Sequence, residues 1–546
     1  MYIKYCRDQR EADPVNTTHY RLNATGGNYR PTYLIRTADW KRVPGAEAKN
    51  GYCTLSYCWE QSGRIVRKAN GEYECIDNGF HQIVQTVRKH SSTGFWCRKK
   101  KVIKQVTYEC LLQQLCKDFQ IDYLWYDKIC IDQSNKQAKY KELKQMYLIY
   151  GNARYTVALV PEMKIHHLRD FKNDSNVVAG TNARDWALDD ICYSLWFKRS
   201  WTLEEVMMSR RILVVGTDVT FWQHSLYSKI PTTYDILSGD LLDFNNRKHK
   251  SANQALSEAH FRTSTRQHDK VFVLANIFPD MFDRMEISYD IDPQTMFHTF
   301  YQNIIASDLS LLCFGSILDV SKTPTNKSTM LDHNLPSWTG IGGLHVPYHM
   351  TTATSFQAPY MVDDNMHLHI VSTYCTLPIE QYDNSSDPDE IDAQMDAVHD
   401  ALFKGQAVDR NKADEDTILL EMRCDMDAFA NCQATHYHRG NPFANSRPLS
   451  LTVEDCKECI ILPILFTNKY AIIRAHDGAI RTARVTGYKY SYFMPVFKKC
   501  SGRSGHYKGI GIYFYGERPD YDDPNVILEA IVKDMVSYGS EEFIIE

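Results

Sequence analysis

Two adjacent carboxylates, Glu204 and Glu205, close a ten-residue run that also holds three aromatic and two basic side chains: Trp196-Phe197-Lys198-Arg199-Ser200-Trp201-Thr202-Leu203-Glu204-Glu205. If a helix begins near Ser200, Trp201 and Glu205 lie four residues apart and share a face. An indole above a carboxylate suits a flat, cationic, heteroaromatic ligand. A carboxylate beside a sugar accepts hydrogen bonds from vicinal hydroxyls and stabilises the oxocarbenium-like charge that develops when an N-glycosidic bond breaks. Burial against Trp201 would exclude water and strengthen both effects. A pyridinium leaving group departs neutral and needs no proton, so one carboxylate suffices where most O-glycosidases use a pair. The alternative is an ordinary surface Glu near a helix N-terminus, stabilised by the dipole. Glu204 fits that description, facing solvent or pairing with Lys198 or Arg199.

The elements that must position these residues follow from hydrophobic pattern. Tyr52 to Tyr57 is an apolar, β-prone run, preceded by a weaker strand at Tyr33-Leu34-Ile35. Ile121 to Tyr126, Tyr155 to Val160 and Arg211 to Gly216 read as three further strands. Between them, helical spacing marks Tyr108 to Phe119, Lys136 to Tyr150 and a segment through Trp186, Leu188, Ile191 and Leu195. Strands alternating with helices predict a parallel sheet with right-handed crossovers. In such a sheet ligands bind outside the carboxyl ends of the strands. Ser56, Tyr57 and Trp59 end the first strand, Asp127 ends the second, and the helix of Trp201 and Glu205 follows the third. These three segments are therefore expected at one edge. Trp59, Trp201 and Tyr57 suit stacking on adenine or nicotinamide, or else core packing. Asp127 suits a ribose, or else caps the next turn.

The rest of the chain sets bounds. Its 546 residues allow roughly two to four domains. A net charge of -5 argues against a dedicated nucleic-acid binder. The compact basic run Arg98-Lys99-Lys100-Lys101 reads as a solvated loop within a polar, hairpin-bearing insertion at 61 to 104. The opening Met1-Tyr2-Ile3-Lys4-Tyr5-Cys6 lacks an apolar core segment, and no apolar stretch is long enough to span a membrane. The expectation is a cytoplasmic protein with reduced, mostly buried cysteines. Cys456-Lys457-Glu458-Cys459 has metal-ligand spacing, but without a second such pair no zinc site is expected. Gly509, Gly511 and Gly516 lie in a strand-like run rather than at a strand-to-helix turn, so they are not a dinucleotide fingerprint.

The organisation expected is a polar arm over 1–30, an α/β domain over 31–230, a helical extension over 231–340 and a β-rich region over 341–546. An acidic linker at 384–416 interrupts the last. In the extension, Asp269 to Phe278 and Pro293 to Ser307 carry the clearest helical patterns. Met366 to Val371, Thr417 to Met422, Cys459 to Leu465, Tyr470 to Ala475 and Gly509 to Tyr515 read as strands.

Three blocks resemble the HET (heterokaryon incompatibility) domain of fungal proteins. They are Tyr52-Cys53-Thr54-Leu55-Ser56-Tyr57-Cys58-Trp59, then Tyr123-Leu124-Trp125-Tyr126-Asp127-Lys128-Ile129-Cys130-Ile131-Asp132-Gln133 running on to Tyr150-Gly151-Asn152-Ala153, then Arg199-Ser200-Trp201-Thr202-Leu203-Glu204-Glu205. Glu60 stands where a Gly usually follows the Trp, and Glu204 where Gln is frequent. HET domains are similar to TIR domains, which have a flavodoxin-like fold, and some TIR domains cleave NAD with a Glu in a Trp-Cys-Leu-x-Glu helix motif. Trp201-Thr202-Leu203-Glu204-Glu205 matches that form with Thr202 in place of Cys. The resemblance implies a TIR-like, flavodoxin-like parallel sheet flanked by helices and Glu205 as the catalytic carboxylate. It also implies a self/nonself or immune-like cell-death role. The combined expectation is NAD+ cleavage at the nicotinamide bond by Glu205. Ser56, Tyr57, Trp59, Asp127, Arg199 and Trp201 bind the substrate, with NAD+ as substrate rather than cofactor and no metal. Self-assembly into a homo-oligomer and an unidentified protein trigger complete it. The competing reading is a non-enzymatic death-signalling module that acts by homotypic association.

Overall fold

Four short runs rich in β-branched and aliphatic residues form the centre of a mixed sheet in the computed structural model. The structure describes residues 2–7, 10–11, 22, 24–69, 71, 73–89, 98–164, 194–222, 251–260, 262–317, 335–341, 343–345, 351–352, 360–376, 419–421, 458–476, 479–518, 528 and 537–546. These fall into two units, one up to residue 222 and one from residue 251.

In the first unit we label β1 (Tyr33–Arg36), β2 (Lys41–Pro44), β3 (Cys53–Ser56), β4 (Tyr123–Trp125), β5 (Thr156–Leu159), β6 (Ile212–Val215) and β7 (Val219–Trp222). The strand Arg10–Glu11 completes the sheet, whose order is Arg10–Glu11, β7, β6, β5, β3, β4, β1, β2. The four inner strands β6, β5, β3 and β4 are mutually parallel, as the alternation of strands and helices predicts. Every residue of β3, β5 and β6 is buried, the pattern of strands covered on both faces. Antiparallel neighbours flank them: β1 on β4, β2 on β1 and β7 on β6. From β3 the chain moves outward to β4, then crosses back over β3 to β5, so the direction of winding reverses beside β3.

The helices are α1 (Tyr108–Asp118), α2 (Lys136–Leu143), α3 (Met146–Asn152) and α4 (Ser200–Met208). Thr107 caps α1 by accepting from the Cys110 N–H at 3.3 Å, and Asn135 caps α2 by accepting from the Ala138 N–H at 3.0 Å. The single helix expected over Lys136 to Tyr150 is broken at Lys144-Gln145. The break falls where the segment before β1 grips the helix. Buried Glu142 accepts from the Thr32 N–H (3.2 Å) and hydroxyl (2.7 Å), and the Gln145 side chain accepts from the Tyr29 hydroxyl (2.9 Å). The insertion holds two hairpins, Arg64–Arg67 with Tyr73–Ile76 and His81–Lys89 with Arg98–Val106. Arg98 to Lys101 therefore begins an exposed edge strand, not the loop read from its charge. Lys4–Cys6 in the expected arm pairs in parallel with His81–Lys89. The helical segment through Trp186 lies outside the described residues, as does the acidic stretch 384–416.

The second unit contains the helices His268–Ile277 and Pro293–Ile305 near their expected bounds. Strands Ala479–Lys499, Cys459–Ile461, Leu368–Thr376, Ser537–Ile545 and His506–Arg518 pair in that order, and the last returns to the first. The sheet thus closes into a barrel. The long strand Ala479–Lys499 is absent from the sequence reading because Gly487 and Pro495 interrupt its pattern. The helical segment and the barrel meet through the Ser337 N–H donating to the Glu546 carbonyl (2.8 Å) and the Gly509 N–H donating to the Ser337 hydroxyl (2.9 Å).

No helix among the described residues is long and apolar enough to cross a membrane. The described cysteines are free thiols, and most are buried. At Gly509 a methyl group would stand 2.6 Å from Phe314 Cζ. Gly509→Ala is therefore expected to destabilise the second unit by about 1–3 kcal/mol in chemical denaturation, with part of the loss recovered by adding Phe314→Leu.

Candidate active site

Glu205 is held in place by a helix buried almost all round. In α4 only Trp201 is part-exposed, and every other residue is buried. No side chain of Arg199 caps the helix. Instead the Thr202 hydroxyl bonds the carbonyls of Trp196 (2.6 Å) and Arg199 (2.8 Å), fixing the turn that leads into it. At the other end the Ser209 hydroxyl donates to the Glu205 carbonyl at 2.5 Å. Ser209 continues into a row of hydroxyls, with Thr156 on β5 at 2.5 Å and then Thr54 on β3 at 2.7 Å. The helix is thus pinned to the two central strands by polar contacts that only this register provides.

The sheet edge presents Ser56, the last residue of β3. Its hydroxyl accepts from Trp196 Nε1 at 2.8 Å and donates to Glu205 Oε2 in a short hydrogen bond. Because the indole N–H occupies one lone pair of the Ser56 oxygen, the hydroxyl proton is directed at the carboxylate. Tyr150 of α3 interacts with the same carboxyl, and its hydroxyl also reaches the Leu55 carbonyl at 3.0 Å. Glu205 is 8% exposed. Burial pushes its pKa up to about 8, the negative charge of Asp127 acts in the same direction, and the Ser56 and Tyr150 contacts and the Arg199 charge pull it down.

Asp127 opens the short helix Asp127–Cys130 after β4. It accepts from the Tyr57 hydroxyl (2.8 Å), Trp59 Nε1 (2.9 Å) and the Lys128 N–H (2.7 Å). Burial raises its pKa against the pull of those donors. The polar atoms of Tyr57 and Trp59 are thus engaged in holding Asp127. Tyr57 is buried against Tyr126 and Tyr108, with ring centroids 5.4 and 5.6 Å away, whereas Trp59 is part-exposed. Glu60 lies in the turn Trp59–Ser62 and pairs with Arg199 at 3.8 Å, tying the loop after β3 to the segment before α4.

The expected residues therefore form two directly bonded groups, Ser56 with Glu205 and Asp127 with Tyr57 and Trp59. They are coupled electrostatically through Asp127 and Glu205 and bridged on one side by Arg199. Trp201 shares the Glu205 face of α4. One expectation is overturned. Glu204 does not face solvent or pair with Lys198 or Arg199. It is 0% exposed, and neither carboxyl oxygen has a hydrogen-bond partner among the described residues. A surface helix would leave the Glu204 stripe open to solvent, but both faces of α4 are covered. Trp196 and Tyr150 were not foreseen as parts of the site. Each looks like core by spacing, and only the strand register brings its polar atom to Ser56 or Glu205.

Ser56→Ala removes the donor to Glu205 and strands the Trp196 N–H. The expected result is a Glu205 titration midpoint above about 8, read by carboxyl infrared or NMR titration. An accompanying stability loss of about 1–3 kcal/mol is expected in denaturant.

The comparisons with known proteins bear on this segment. No curated protein and no solved structure matches the chain. A family model described as Heterokaryon incompatibility protein (HET) matches residues 52–205, from the residue before β3 to Glu205 itself. The stretch that builds the site is thus similar to the heterokaryon incompatibility domain.

Proposed function

We propose that the chain is a heterokaryon-incompatibility type cell-death effector that cleaves NAD+ at the nicotinamide N-glycosidic bond, with Glu205 as the catalytic carboxylate. One observation carries this reading. A buried carboxyl lies beside the carboxyl end of β3, where the winding of the parallel strands reverses, and it is oriented by the Ser56 hydroxyl. The order β4, β3, β5, β6 of parallel strands is the second-first-third-fourth order of flavodoxin-like sheets, which bind ligands at this reversal. That order supports the TIR-like reading of the fold.

In the reaction the ribose C1′–N bond breaks and its electron pair stays on nicotinamide, which leaves neutral. The positive charge grows on the ribose, and ionised Glu205 stabilises it electrostatically. Water then attacks C1′ and releases a proton. Ser56 and Tyr150 fix the carboxylate, Trp201 and Trp59 offer part-exposed indoles to the flat rings, and Asp127 with Tyr57 shapes the far wall. Arg199, paired with Glu60, lowers the pKa of Glu205 and adds a positive charge to the substrate side of the site. No metal or cofactor is required, and the reaction takes place in the cytoplasm.

A second reading, a homotypic signalling module, is favoured by the insertion. Phe80 is 63% and Ile103 58% exposed there, a surface suited to self-assembly or to a protein trigger. The two readings are compatible if assembly completes the site.

Incubation of purified protein with NAD+ is expected to release nicotinamide. Glu205→Gln should lower kcat by about a hundredfold or more with the fold intact. Because Glu205 must ionise, kcat/KM should rise with pH towards a midpoint near about 8. No turnover in any oligomeric state, with cell toxicity unchanged by Glu205→Gln, would leave the assembly reading standing alone.

A further inference from the structure

The chemistry above leaves one buried titratable group of the site unused. Glu204 adjoins Glu205 on α4 and is fully buried, with both carboxyl oxygens unpartnered. Ser200, one turn earlier on the same stripe of the helix, is buried as well, and its hydroxyl is also unpartnered. Among the described residues nothing donates to Glu204, not even the Ser200 hydroxyl on its own stripe. On the neighbouring stripe Glu205 has the Ser56 hydroxyl, with Tyr150 beside it. A desolvated carboxylate without donors neutralises itself by binding a proton. Of two adjacent carboxyls in one desolvated space, the one with donors takes the charge.

We propose that Glu204, buried and without a donor, is a positioning residue that keeps its proton when Glu205 ionises and so confines the negative charge of the pair to Glu205. The inference concerns the same site as the proposed NAD+ cleavage, but its test needs no turnover. Burial, and after it the Glu205 charge, push Glu204 well above the ordinary carboxyl range. The other groups acting on the pair come from three different segments: Tyr150 on α3, Asp127 after β4 and Arg199 before α4. None of them is a cation that would hold Glu204 ionised, since Arg199 acts on Glu205 and pairs with Glu60.

A protonated Glu204 works through Glu205. With one charge rather than two, the site attracts a cationic ring without the mutual repulsion that would push Glu205 to a still higher pKa. Glu204→Gln replaces a neutral acid by a neutral amide of the same shape, so it is electrostatically silent.

Infrared difference spectra of protein carrying carboxyl-labelled glutamate test this. As pH rises through the Glu205 midpoint, wild type should lose one protonated-carboxyl band and keep another. Glu205→Gln should retain that band and Glu204→Gln should lose it. The Glu205 midpoint should stay near about 8 in Glu204→Gln. A wild type that loses both bands together, or a Glu205 midpoint lowered by about one unit in Glu204→Gln, would show an ionised Glu204 and overturn the proposal. If Glu204→Gln does not fold, the wild-type and Glu205→Gln spectra still decide the point. A chain that never turns over NAD+ gives the same spectra, so the two proposals fail separately.

Discussion

Desolvation of the crossover helix α4 is the constraint on which the rest of the site depends. The helix connects to β6, lies in the core and puts two carboxyls where little water reaches, Glu205 at 8% and Glu204 at 0% exposure. That placement is costly for a charge, and the structure offsets it at one carboxyl only. The Ser56 hydroxyl, itself aimed by the Trp196 indole, gives Glu205 a donor, and Arg199 adds a positive potential. Glu204 receives nothing comparable. The same burial that raises Glu205 towards neutrality makes its ionised form a strong electrostatic partner once a cation displaces the proton.

This arrangement ties pH to folding as well as to chemistry. A carboxyl whose folded pKa lies above its unfolded value contributes stability that is complete below the unfolded pKa and is lost as pH rises through the folded one. Glu205, raised from its ordinary 4.5 to about 8, loses that contribution as pH rises between those two values, and Glu204, raised as well, loses its own in the same direction. The protein therefore gives up stability towards alkaline pH to hold these acids inside. The Ser209, Thr156 and Thr54 hydroxyl row and the Glu60–Arg199 pair keep the helix seated against that cost.

Much of the first unit was legible in the sequence because it is built from local patterns. The inner strands are continuous apolar runs, α1 has helical spacing with a Thr cap, and the parallel topology follows from their alternation. The convergence of Ser56, Asp127 and Glu205 at one edge then followed from where strands end. What was not legible depends on register and on coverage. Trp196 and Tyr150 look like core until β3 brings Ser56 and Leu55 to their polar atoms. Glu204 looks like a surface residue until the packing closes over its stripe. The antiparallel flanks β2 and β7 are local hairpins on β1 and β6, too short and too polar at their turns to read as strands, whereas Lys4–Cys6 joins through a long-range pairing that no local pattern encodes. In the second unit the barrel closes through Ala479–Lys499, whose Gly487 and Pro495 conceal a strand that its partners on both sides stabilise.

The central claim is that Glu205 is a buried acid whose charge appears when a cationic ring enters. Its ionisation should therefore depend on ligand. The most direct measurement follows the labelled Glu205 carboxyl by carbon NMR, assigned by its loss in Glu205→Gln, across a pH titration with and without a non-cleavable NAD+ analogue that keeps the pyridinium. A midpoint of about 8 is expected in the free protein, moved about one unit or more towards acid when the analogue is bound. A midpoint in the ordinary carboxylate range, or one that the analogue leaves in place, would contradict it.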